Sequence, residues 1–271
     1  MRSIMSEASV VPWSDQPVPG IDGSMLDPRA IDHFRRKVSE AGMPDERNIC
    51  ASVPELLMEL GLIVNGDVTR AGILLFHPRP EDVIASSFTE LSSLLHSDVL
   101  FREVIGGPLV RRFDRIMDVL WAKYLSKLIT YDGWTRIEND PFPRESMEEC
   151  IINALVHSDY FSSDPVQIRV WPERMVVLDS GGIPDGWTEK DLLSIHPSVP
   201  VNPRIADVFH LMGYSENRGS GIERMLGGYK RYPGRDVAIR ADRDSFQVAM
   251  DAIITLEDVR DQLFMYRGDH A

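Results

Sequence analysis

Residues 145–160 read ESMEECIINALVHSDY, and the rest of the chain is best read outward from them. Met147, Ile151, Ala154 and Leu155 recur at helical spacing and predict one apolar side, while Glu149, Asn153 and His157 fall at i, i+4 and i+8 and line a neighbouring face. Downstream, PVQIRVW (165–171) and RMVVLDSGG (174–182) are apolar, β-branched runs on either side of Pro172-Glu173. They predict a hairpin whose second strand ends in Asp179 and runs into Gly181 and Gly182. A loop with Pro197, Pro200 and Asn202 follows, then a helix capped by Asn202, opened by Pro203 and stopped at Gly213. Arg218, Gly219, Ser220 and Gly221 open a further helix, GIERML, before the strands DVAIR (236–240) and SFQVAM (245–250).

Upstream, Pro141 and Pro143 separate this unit from a different organisation. LDPRAIDHFRRKV (26–38) predicts a helix with Asp27 as N-cap and Pro28 at its first position, and the capping box Ser52 to Glu55 opens a second. LIVNGDVTRAGILLF (62–76) carries a hairpin signal at Asn65-Gly66, although its second run also reads as a buried strand leading elsewhere. Residues 83–105 read as further strands, and the apolar positions from Leu109 to Leu128 predict one long amphipathic helix. The Pro-, Gly- and Ser-rich opening lacks periodicity. The expected division is a flexible arm or linker over 1–25, an α+β region over 26–140, a ligand-binding unit over 141–252 and a tail over 253–271.

Composition narrows the function classes. Acidic residues outnumber basic ones 42 to 29 in 271 residues, and the net charge of −13 repels a phosphate backbone, so direct nucleic-acid binding by this chain alone is disfavoured. Cys50 and Cys150 are too few for a disulfide framework, and no apolar run approaches the roughly 18 residues of a spanning helix. A cytoplasmic location is expected, with no membrane insertion.

Three clusters carry the chemistry. A carboxylate and an amide four residues apart, Glu149 and Asn153, suit metal-assisted work on a phosphate, the amide oxygen ligating Mg²⁺ and the carboxylate polarising water; they also suit a plain solvated helix edge. Asp179 at a strand end can accept from an exocyclic amine while Gly181 and Gly182 let a ring lie on bare backbone, or the four residues are simply turn chemistry. RGSGI presents unpaired N–H groups to phosphate oxygens, or is a loop entering a helix.

The order of these clusters resembles that of the boxes in the Bergerat-fold (GHKL) ATPases, the superfamily of gyrase and the histidine kinases. The stretches MEECIINALVHSDY, LDSGGIPDG and NPRIADVFHLMGYSENRGSGIERM are similar to those of a divergent bacterial branch described as transcriptional regulators or helicase-related ATP-binding proteins. The resemblance implies a Bergerat α/β sandwich with a mixed, largely antiparallel sheet, on which the N-terminal α+β region packs. It implies Glu149 as general base, Asn153 as Mg²⁺ ligand, Asp179 as adenine contact, Gly181 and Gly182 beneath the nucleotide, and Arg218, Gly219, Ser220 and Gly221 as the lid turn near the phosphates. Ser158 stands where the branch has an arginine, and Asn217 where it usually has an acidic residue. Branch members commonly carry an AlbA-type, Schlafen-like domain before this region, and this chain is expected to be the nucleotide-binding part without it. The activity implied is Mg²⁺-dependent ATP binding with slow hydrolysis and a lid, over about 184–220, that responds to nucleotide and acts on a protein partner, with a homodimer as a further expectation. The alternative is a non-hydrolysing ATP sensor or transcriptional-regulator module in which Glu149 is structural.

Overall fold

The computed structural model describes residues 11–42, 52–125, 127–132, 134–183, 186–192, 200–214 and 221–255. The upstream elements are α1 (Pro28–Ala41), α2 (Val53–Glu59), the short pair β1 (Ile63–Val64) and β2 (Asp67–Val68), and α3 (Arg70–Phe76). Strands β3 (Thr89–Leu95) and β4 (Asp98–Ile105) come next, followed by α4 (Leu109–Val119), a π-type turn (Leu120–Tyr124) and a two-stranded ribbon, β5 (Leu128–Asp132) and β6 (Thr135–Asn139). Then come α5 (Arg144–His157), β7 (Val166–Val170), β8 (Arg174–Asp179), α6 (Glu189–Leu192), α7 (Pro203–Leu211), α8 (Gly221–Gly227), β9 (Val237–Ala241) and β10 (Phe246–Asp251).

The centre is a six-stranded sheet in the order β4-β3-β7-β8-β10-β9. β3 and β7 run parallel, with Leu91 opposite Ile168, and every other pair is antiparallel. Period-two alternation shows which face is covered: Val166, Ile168 and Val170 of β7 and Met175 and Val177 of β8 are buried, whereas Arg169 and Arg174 are exposed. Helix α5 lies on this face against β8, and α4, α7 and α8 pack on α5 in turn. The result is an α/β sandwich with a mixed, largely antiparallel sheet, as expected. The sheet draws strands from both sides of residue 140, and one apolar core runs through all of them.

Several local expectations change. Residues 70–76 are helix α3 rather than a strand: Thr69 Oγ1 accepts from Gly72 N–H at 3.2 Å and starts the helix, and residues 71–76 are all buried. A helix wrapped on every side has no polar face, so its sequence looks like a buried strand. The Asn65-Gly66 turn itself is present, with positive φ at both residues and Ile63 opposite Val68. The helix expected over 109–128 ends at Val119, and Leu128 begins β5. The π turn keeps Leu120 and Leu125 buried after the α-helix stops, so the apolar spacing outlasts the helix.

Residues 11–25 of the predicted arm are tied down: Arg70 N–H donates to Gln16 O at 3.0 Å, Val68 N–H to Ile21 O at 2.7 Å, and the Arg70 guanidinium stacks over Trp13. The first ten residues, and 256–271 of the tail, lie outside the described residues. Among the described residues no helix is long and apolar enough to cross a membrane.

Candidate functional site

Alternation carries the Asp179 side chain onto the covered face, continuing Met175 and Val177, and it is buried there. Its Oδ1 accepts from Gly181 N–H at 2.7 Å. Burial pushes its carboxyl well above the usual carboxylate range, and the Gly181 N–H opposes that only in part. Cys150, buried on α5, lies in the electrostatic field of both Asp179 and Glu149; burial first, then the two carboxyls, push its thiol upward.

The glycines after Asp179 have a reason in the chain itself. A Cβ on Gly181 would strike the carbonyl oxygen of His157, and one on Gly182 would fall inside the carbonyl group of Arg243 and 3.0 Å from Asp242 O. The strand end is thus wedged between the last turn of α5 and the β9–β10 turn, where Ile183 N–H donates to Asp242 O at 3.0 Å. Asn202 finishes the arrangement. Its buried amide does not cap its own helix α7; Nδ2 donates to Val156 O at 2.9 Å and Ser158 O at 2.8 Å, closing the C-terminus of α5. His157, on the same last turn, has its imidazole pushed down to about 4 by burial and is neutral at neutral pH.

Glu149 and Asn153 share one face of α5, as their spacing predicts, and α8 lies across it. The approach is close because the contacting residues are small: Ser146 Oγ donates to Met225 O at 2.6 Å, and a Cβ on Gly228 would collide with Ser146 Oγ. At the other end of α8, a Cβ on Gly221 would collide with Glu149 Oε1 and lie 3.2 Å from Asn153 Nδ2 and 3.4 Å from its Oδ1. Glu149 is buried and its Oε2 accepts from Arg224 Nη2. Burial raises its pKa, and the Arg224 charge pulls it back. Arg224 Nη2 also reaches Tyr214 O at 3.4 Å. The Tyr214 hydroxyl in turn donates to Asp114 of α4 at 2.7 Å, and Asp114 pairs with Lys37 of α1 at 3.1 Å.

Glu149, Asn153 and Gly221 are therefore brought together, with Asp179, Gly181 and Gly182 at the adjoining strand end. Arg218, Gly219 and Ser220, together with Asn217, lie outside the described residues. Ser158, in place of the branch's arginine, is buried, with its Oγ 3.3 Å from Ser180 Oγ. Arg224 was not singled out by sequence reasoning. Its only signal is a cation one helical turn after Gly221, which does not say which acid it meets.

Residues 163–250 match the family described as "Putative ATP-dependent DNA helicase recG C-terminal", an ATPase-like domain. The fold is similar to the crystal structure of the DIP2311 protein from Corynebacterium diphtheriae, with a TM-score of 0.70 and 20% identity over 94% of this chain and 50% of that one. The chain thus spans half the length of that solved protein. No curated protein matches the sequence.

Proposed function

We propose that the chain binds ATP with Mg²⁺ between α5, the end of β8 and the start of α8, and that nucleotide occupancy is reported through α8 and the preceding lid to a protein partner. The carrying observation is Asp179, a buried carboxyl whose only hydrogen bond among the described residues comes from Gly181 N–H. Such a group is costly to bury without a donor, and an exocyclic amine supplies one. The ATPase-like match over 163–250 supports the same reading. Bound Mg²⁺ would supply positive charge to neutralise the triphosphate. Among the described residues no group of three or more His, Cys, Asp or Glu could hold a metal by itself. The fit is to an ion carried mainly by phosphate oxygens, with the Asn153 amide beneath Gly221 as the protein's ligand.

Calorimetric titration with ATP, ADP and GTP, with and without Mg²⁺, tests this. ATP is expected to bind more tightly than GTP by about tenfold or more, because guanine turns a carbonyl oxygen toward Asp179 where adenine turns an amine. Asn153→Ala should stay folded and lose most of the Mg²⁺ dependence. Equal Mg²⁺ dependence in wild type and variant removes Asn153 from this role.

A pH dependence follows from Asp179. Its carboxyl is raised in the free protein by burial, whereas accepting from an amine favours the ionised form, so binding lowers its pKa. Affinity should rise with pH from the bound-state pKa up to the raised free-state pKa, and proton release on binding should accompany it. Titrations in buffers of different ionisation enthalpy measure that release. The same slope in Asp179→Asn would assign the titration to another group.

Hydrolysis and sensing remain two readings of one site, and the second has its own support. The Glu149 carboxylate is engaged by Arg224, as a structural acid in an ATP sensor would be.

A further inference from the structure

Arg224 is held in a way that a carboxylate only half satisfies. The guanidinium meets Glu149 through Nη2 alone, the same nitrogen leans on Tyr214 O at 3.4 Å, and its buried Nε has no partner among the described residues. A guanidinium carries five donors in a planar fork suited to two oxygens at once, and a phosphate offers three. Arg224 also sits one helical turn after Gly221, the residue packed against Glu149 and Asn153, so it faces the place where an Asn153-bound metal would hold phosphate oxygens. A polyphosphate entering there sets its negative charge beside the buried Glu149 carboxylate, and the one described cation in contact with that carboxylate is Arg224.

Resting on the nucleotide reading above, we propose that Arg224 reads the terminal phosphate of a nucleoside triphosphate, with Glu149 as its substitute partner when that phosphate is missing. A triphosphate and Glu149 compete for the same fork. When the phosphate wins, α8 changes its grip on α5 and the Glu149 carboxylate is released. A diphosphate leaves the Glu149–Arg224 pair in place. Because Arg224 Nη2 also reaches the carbonyl of Tyr214, whose hydroxyl is bonded to Asp114 of α4, the exchange is transmitted to Tyr214 and to the upstream helices.

The test compares Mg²⁺-ATP and Mg²⁺-ADP affinity by calorimetry for the full chain and for Arg224→Gln, Arg224→Lys and Glu149→Gln, with a thermal melt of each. Arg224→Gln should weaken ATP by about tenfold or more, the scale of charge-assisted hydrogen bonds, and leave ADP within about twofold. Arg224→Lys should recover part of the ATP affinity. Glu149→Gln removes the competitor and keeps the fork, so it should widen the ATP-to-ADP ratio, giving a readout of opposite sign should Arg224→Gln fold poorly. Equal loss of ATP and ADP in Arg224→Gln, or an unchanged ratio in Glu149→Gln, makes Arg224 a structural clamp and overturns the proposal. Wild-type protein that binds neither nucleotide overturns the nucleotide reading itself.

Discussion

Gly182→Ala is expected to lose about 3 kcal/mol of stability, and with it about 10 °C of melting temperature. A methyl at this position lands inside the Arg243 carbonyl, and the obstacle is backbone rather than the movable end of a side chain. Relief requires the β9–β10 turn to move away from the strand end, breaking the bond from Ile183 N–H to Asp242 O. Gly227→Ala is the matched control, since a Cβ there meets nothing within 4 Å, and it should stay within about 1 kcal/mol of wild type. Coincident melting curves for the two variants would show that the strand end is not wedged as described. The comparison also separates two reasons for the glycine: one needed only beneath a nucleotide would cost affinity and leave the melting temperature alone.

Glu149→Gln carries the largest expected effect on chemistry. If the chain turns over ATP with Glu149 as base, phosphate release should fall by about 10²- to 10⁴-fold, while ATP affinity holds or improves. The wild-type rate is expected to be low in any case, because the carboxylate is engaged by Arg224 until that arginine leaves it. Wild-type phosphate release no higher than that of Glu149→Gln assigns Glu149 to the clamp on α8 and leaves a sensor. Steady-state phosphate release, with ATP binding measured on the same samples, decides between them.

The legible parts of this fold were those whose signal is local. Asp27 does accept from Arg29 N–H at 2.9 Å ahead of Pro28, the β7–β8 hairpin forms around Pro172-Glu173, and Glu149 and Asn153 do share a face. What stayed hidden depends on neighbours distant in sequence. Nothing in TELSSLL tells of a parallel partner more than 70 residues downstream, yet Thr89 lies opposite Val166. Asn202 reads as an N-cap from its neighbour Pro203, whereas its amide has the unpaired carbonyls of another helix to satisfy. Arg224 reads as a solvated cation on a helix, and its partner is a carboxylate 75 residues upstream.

The parallel pairing of β3 with β7 bears on where this protein can be cut. The ATPase-like match begins at residue 163, after α5 and after the first two strands of the sheet. A fragment excised along that boundary would present β7 as a bare edge, its partner strand β3 gone from beside the buried Val166, Ile168 and Val170. Unguarded apolar edges recruit other chains, so the expected product is an aggregate rather than a small nucleotide-binding module. Transplanting the matched segment between proteins of this build therefore has its seam ahead of Thr89, and the upstream strands travel with it as part of the same cassette.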